Sequence, residues 1–169
     1  MTPPAGYHIS AMRASDYAEA LALWQSCEGI GLNESDTRTG VESFLERNPG
    51  MSRVVRTREG NGLVAAVLCG HDGRRGYLHH LAVSPDHRRL GLGRWLVLDC
   101  LRALQDAGIP KCNLFLYADN HAGREFWLRE GWSARTDLVV IQRVTSPDHG
   151  PGKARGGSDA SQNLPPGLL

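Results

Sequence analysis

The chain has 169 residues, 41% of them hydrophobic and 22% charged, and a formal net charge of +1. That length predicts a single domain with a core of its own, and the near-neutral balance excludes a global field drawing it to nucleic acid or a membrane surface. No apolar run approaches the ~20 residues of a membrane span, and the opening MTPPAGYHIS holds no hydrophobic stretch, so the expectation is a cytoplasmic protein.

Residues 1–6 are expected to be a flexible N-terminus. Residues 7–13 read as a strand. Ser15 stands where a helix N-cap would, with Asp16 in the first turn, and Ala18, Leu21, Ala22 and Trp24 give helical spacing to about Cys27. Residues 28–36, EGIGLNESD, have no periodicity and read as a loop. A second helix is predicted from Thr39, where Thr39 and Glu42 have capping-box spacing and Val41, Phe44 and Leu45 form an apolar face. NPG at 48–50 stops it. Strands follow at 51–58 and 63–70, joined through Asn61-Gly62, a strong hairpin signal. A polar break leads to a third strand at 77–83.

After Pro85 a helix is predicted to about Ala107, with Leu92, Leu96, Cys100, Ala103 and Ala107 on one face and Gly108 and Pro110 as stop signals. Residues 112–117 form a nearly continuous apolar strand, expected to pair in parallel with the strand before that helix. A short helix at 121–130 ends at Gly131, and 137–143 reads as a last strand. Residues 145–169, rich in Pro, Gly and Ser, are expected to be a disordered tail. The order predicts an α/β fold: a mixed sheet, antiparallel meander plus βαβ unit, in one domain at 7–144. Cys27, Cys69, Cys100 and Cys112 form no CxxC or metal-ligand spacing, which predicts buried thiols in a reducing compartment and no metal.

The stretch HRRLGLGRWL, residues 87–96, carries the chemistry. A strand delivers the chain, Ser84-Pro85 turns it, and Arg88, Gly91 and Gly93 open a helix. The first N–H groups of a helix lack internal partners and carry partial positive charge. Glycines admit a phosphate close to them, and Arg88, Arg89 and Arg94 add charge-assisted bonds. A P-loop is excluded, since no GxxxxGK stretch is present, and a dinucleotide fingerprint lacks its third glycine. The alternative is that the two glycines only relieve a tight turn.

These residues resemble the GNAT superfamily of acetyl-CoA-dependent N-acetyltransferases. Its diphosphate signature, Arg/Gln-x-x-Gly-x-Gly/Ala, is met by Arg88, Gly91 and Gly93. Its later pattern is met by Asn120, Phe126-Trp127 and Gly131-Trp132, and the likeness covers residues 7–143. The resemblance implies two parallel strands splayed apart with acetyl-CoA entering between them. It places Leu81, Ala82 and Val83 along the cofactor, with main-chain groups of Leu81 and Val83 bonding the pantetheine arm. The main chain of Arg89, Leu90, Gly91, Leu92, Gly93 and Arg94 would hold the diphosphate, with Asn120 nearby. The partners implied are acetyl-CoA and an amine acceptor, and a homodimer is left open.

Trp127 stands where the family places the tyrosine taken as acid for the departing thiolate. Indole N–H does not give up a proton near neutral pH. A thiol of pKa ~8.5 leaves as thiolate at pH 7 for only ~2 kcal/mol, so transfer survives without that acid. Trp127 is therefore either a hydrogen-bond donor to sulfur or core, and Tyr117 is a second candidate acid.

A protonated amine must lose a proton before attack, which calls for a base, and a main-chain N–H of the central strand would stabilise the oxyanion. His79 and His80, adjacent on a strand, are expected to face opposite sides, so that one, His80 among the candidates, faces the acceptor. Glu28, Glu34 and Asp36 sit in the loop that walls the family's acceptor site and suit a cationic amine. The leading reading is an N-acetyltransferase acting on a primary amine of a small molecule, peptide or protein. The alternatives are an acetyl-CoA-binding sensor without catalysis, supported by Trp127, and a nucleic-acid backbone binder, opposed by the near-zero charge.

Overall fold

The computed structural model describes residues 4–145. In chain order the elements are β1 Tyr7–Ala11, α1 Tyr17–Ser26, α2 Arg38–Arg47, β2 Arg53–Thr57, β3 Leu63–His71, β4 Gly76–Val83, α3 Leu92–Asp106, β5 Cys112–Leu114 and α4 His121–Arg129. Short 3-10 turns precede α1, α2 and α3 at Ala14–Asp16, Glu34–Asp36 and Pro85–His87. The five strands lie in the order β1-β2-β3-β4-β5, antiparallel except for the parallel pair β4–β5. This is the mixed sheet expected: a meander followed by a βαβ unit.

The sheet is covered on both faces, and alternation along β3 shows how. Ala65, Val67 and Cys69 join a cluster with Leu92, Leu96, Cys100 and Leu104 of α3. Ala66 and Leu68 join another with Ala20 and Trp24 of α1 and Val41 of α2. A central strand buried on both faces needs such an apolar run, because successive side chains point opposite ways. Among the described residues no helix is long and apolar enough to cross a membrane.

Several boundaries differ from expectation, each for a local reason. Ser15 lies inside the 3-10 turn, and α1 begins only at Tyr17. Thr37, not Thr39, caps α2, its hydroxyl accepting from Gly40 N–H at 3.2 Å. On α3, Leu104 is buried where Ala107 was expected, because the helix ends at Asp106 and Ala107 lies exposed beyond it. Part of the N-terminus expected to be loose is tied: Tyr7 N–H reaches Pro4 C=O at 3.3 Å and Arg58 N–H reaches Gly6 C=O at 2.8 Å.

The chain groups into one compact unit up to Ser133 and a second from Ala134. In the described part of the second unit, the predicted strand 137–143 is absent. Leu138, Val139, Val140 and Ile141 are exposed. A strand needs a hydrogen-bonding neighbour as well as the β-propensity this segment carries. Of the predicted tail, only Thr145 lies within the described residues.

Candidate active site

β4 carries two irregularities, and each builds one side of a site. The first is its parting from β5. The two strands pair only at Gly76, Tyr77 and Leu78, opposite Cys112, Asn113 and Leu114, although 112–117 was expected to be strand. Beyond Leu78, β4 runs on to Val83, and among the described residues no strand pairs with that edge. Ser84 N–H donates to Val64 C=O of β3 at 2.8 Å, so by alternation Val83 and Leu81 turn their main-chain groups away from β3, into the gap. Ala82 differs from them: it pairs with Ala66 of β3 and its side chain is buried on the α1–α2 side.

The bare edge leads into the start of α3. Gly91 is the N-cap residue, at φ +80° and ψ 3°, and among the described residues no side chain caps the helix. The N–H groups of the first turn are therefore open donors at the positive end of a 15-residue helix. Arg89, too, is left-handed at φ +62°. Arg88, Arg89 and Arg94 are exposed around this turn, as is Leu90. Arg88 Nε donates to Val83 C=O at 3.1 Å, and Cys27 Sγ meets the same carbonyl at 3.6 Å. Arg94 pairs with Glu130 at 3.3 Å. Gly93 faces Phe126 and Val83, so the helix start, the end of β4 and α4 converge. Tyr7 joins β1 to this region by a 2.8 Å hydrogen bond with His87 Nδ1.

Across the gap, Asn120 caps α4 by accepting from Gly123 N–H at 2.8 Å. The α1–α2 loop reaches over to the same place. A Cβ on Gly29 would lie 2.4 Å from the Asn120 amide, and one on Gly31 would lie 1.9 Å from the Tyr117 hydroxyl. Both glycines are thus needed for the loop to approach. Trp127 packs edge-on between Phe126 and Trp132, at 5.1 and 5.0 Å between ring centroids, against the α3-side core.

The second irregularity is a bulge. Ala66 opposes Ala82 but Leu68 opposes His79, so His80 and Leu81 together face Val67. His80 takes the left-handed conformation at φ +53°. The bulge breaks alternation, and the expected opposition of the two histidines fails: both lie on the α1–α2 side. His79 meets Phe44 of α2 edge-on at 5.9 Å, and His80 lies against Trp24 of α1 at 5.2 Å. Their rings are 6.5 Å apart.

The acid that meets His80 is Asp36. His80 Nε2 and Asp36 Oδ1 are 2.6 Å apart, with side chains only 13% and 8% exposed. Asp36 Oδ2 accepts from Asn33 N–H at 2.7 Å, and its main-chain carbonyl accepts from the Tyr17 hydroxyl at 2.9 Å. Burial alone would raise the Asp36 pKa, but the bonds from His80 and Asn33 outweigh it and hold the carboxyl below its ordinary value. Burial, with His80 beside it, pushes the pKa of His79 down, against the pull of Asp36. Glu28 and Glu34 are exposed, outside this contact. Trp24, fully buried, holds an Nε1–H with no partner among the described residues; such a donor costs about 1–3 kcal/mol until something accepts from it.

Neither the bulge nor the choice of Asp36 followed from the sequence pattern. The Asn33-x-x-Asp36 spacing was the available signal, since it closes the turn that aims Asp36 inward.

A profile of the acetyltransferase (GNAT) family matches residues 17–132. An acetyltransferase of Yersinia enterocolitica is 30% identical over 136 residues, covering 80% of this chain and 94% of that protein. The ribosomal-protein-S18-alanine N-acetyltransferase of Escherichia coli shares the fold with a TM-score of 0.62 at 23% identity, over 77% of this chain and 79% of that one. A Mycobacterium tuberculosis protein solved in complex with CoA does so with a TM-score of 0.62 at 17% identity, over 79% and 76%.

Proposed function

Because this chain belongs to the GNAT acetyltransferase family, we propose that the gap between β4 and β5 receives acetyl-CoA and that the acetyl group passes to a primary amine arriving from the α1–α2 face. Family membership makes the protein an acyltransferase with acetyl-CoA as its acetyl donor. Leu81 and Val83 offer a free strand edge suited to an amide-bearing arm, which would add to β4 as an extra strand does. Leu92, Gly93 and Arg94 offer first-turn N–H groups to the diphosphate, with Arg88 and Arg89 at its flank. Arg88 would exchange the Val83 carbonyl for a phosphate oxygen, freeing that carbonyl for the arm. Asn120 holds the start of α4 across the gap. The reading assumes the cytoplasm, where the four thiols, unpaired in the structure, would stay reduced.

The observation that carries this reading is the continuity of the bare β4 edge with the uncapped start of α3. A calorimetric titration with acetyl-CoA at moderate salt tests it, followed by thiol release in the presence of a pool of amines. Saturable one-site binding and amine-dependent release are expected. Absence of binding would overturn the reading.

A further inference from the structure

We infer that His80, oriented by Asp36, is the base that takes the proton from the acceptor amine, and that its Nδ1 is the accepting atom. The inference rests on the acetyltransferase reading and goes beyond it by naming the proton acceptor and its positioning residue.

An ionised Asp36 can only accept, so at 2.6 Å the proton on that bond belongs to His80 Nε2. A neutral imidazole with its proton on Nε2 carries its lone pair on Nδ1, and Nδ1 has no partner among the described residues. This is the arrangement a general base needs: one ring nitrogen held, the other bare. The bulge sets its position. His80 directly precedes Leu81, so the base sits at the strand edge proposed to hold the acetyl donor. A histidine held in left-handed backbone is strained, and such strain persists where the surroundings over-determine it.

The other groups around His80 fit the role. His79 lies beside it on β4, and its depressed pKa keeps a second positive charge away. Trp24 covers it from α1, with the buried Nε1–H still lacking an acceptor. Tyr17 and Arg38 act at one remove: Tyr17 bonds the Asp36 main chain, and Arg38 of α2 stacks on the Tyr17 ring at 4.7 Å. Val67 of β3, opposite the bulge, adds no charge.

His80 Nδ1 takes one proton from R–NH3+, leaving R–NH2 with a free lone pair. That pair attacks the thioester carbonyl, the N–C bond forms and the C–S bond breaks. The amide nitrogen gives up a second proton, the CoA thiolate takes one to become thiol, and imidazolium returns the other to solvent.

The test uses the full chain with His80→Asn, chosen because Asn adopts left-handed backbone readily, and Asp36→Asn. Nitrogen-15 NMR of the ring should show Nε2–H and bare Nδ1 in the unaltered protein, with the tautomers mixing in Asp36→Asn. Thiol release is then read with two kinds of acceptor at saturating acetyl-CoA. One is a pool of ethylamine, phenethylamine and Nα-acetyl-lysine, all protonated at neutral pH. The other is hydroxylamine, which is not.

His80→Asn should lose about 100-fold or more on the pool, yet stay within about threefold on hydroxylamine, with acetyl-CoA affinity unchanged. Equal loss on both acceptors, no His80-dependent turnover of the pool, or an Nδ1–H tautomer would overturn the inference. Loss of acetyl-CoA binding by the unaltered protein would instead overturn the reading beneath it.

Discussion

Gly91 offers the sharpest separation of stability from binding. At φ +80° and ψ 3° it sits in left-handed space, yet a Cβ there meets nothing within 4 Å. Gly91→Ala therefore collides with nothing and costs only backbone strain, about 1–2 kcal/mol. Against a typical stability of about 5–15 kcal/mol the protein stays folded, with Tm lowered by roughly 2–8 °C at this size.

The strain is relieved by turning the residue toward ordinary φ, which re-aims the first N–H groups of α3. Losing one charge-assisted bond to a phosphate costs about 1.5–3 kcal/mol, a ten- to hundred-fold weakening. Gly93→Ala is the matched control. It lies in right-handed helix, where Ala is favoured by about 0.5–1 kcal/mol, and its Cβ would make ordinary contacts of 3.5 Å to Phe126 and 3.6 Å to Val83. Thermal unfolding without ligand and calorimetry with acetyl-CoA should show Gly91→Ala less stable and poorly binding, and Gly93→Ala slightly more stable and still binding. Unchanged affinity in Gly91→Ala, with the Tm loss present, would refute the assignment of the diphosphate to this helix start.

Three further outcomes are expected. Burial holds the pKa of His79 below its ordinary value, so as the pH falls through about 6.5 the unfolded chain takes up a proton that the folded chain resists. Tm should therefore decline from pH 7 to pH 5, and His79→Phe, which keeps the ring contacts with Tyr77 and Phe44, should flatten that decline. Trp127→Tyr should leave turnover within about twofold and lower Tm, because the indole is held between Phe126 and Trp132; a clear rise in turnover would return this position to catalysis. Tyr7→Phe removes the bond to His87 at a cost of about 1 kcal/mol, visible as a Tm loss of roughly 2–4 °C and, because His87 adjoins Arg88, as a few-fold weaker acetyl-CoA titration.

What was legible in the sequence was what local pattern encodes. The α3 face, the β2–β3 hairpin and the Arg88-Gly91-Gly93 helix start all rest on residues close in the chain, and each stands in the structure within a few residues of its expected place. The misses share a different origin. Residues 137–143 carry the composition of a strand, but pairing depends on a neighbour that composition does not name. The histidine pair was misread because period-two alternation assumes an unbulged strand. The bulge is a property of β3 against β4, two residues facing one, and only the paired register reveals it. Asp36 was one acid among three in a loop without periodicity, and a 3-10 turn closed by Asn33 selects it from Glu28 and Glu34.

The two departures of β4 from ideal geometry lie within a few residues, and their order along the strand has a consequence. The strand leaves β5 after Leu78, bulges at His80 and Leu81, and ends at Val83 against the start of α3. A regular strand would send residues 79 and 80 to opposite faces, with at most one histidine beside Trp24 and Asp36. It would also shift by one residue which main-chain groups face the gap, since the register flips the edge as well as the faces. One extra residue therefore fixes both the edge proposed for the acetyl donor and the ring proposed to serve the amine. A single-residue deletion at the bulge should strike both together, whereas His80→Asn and Gly91→Ala should each strike one.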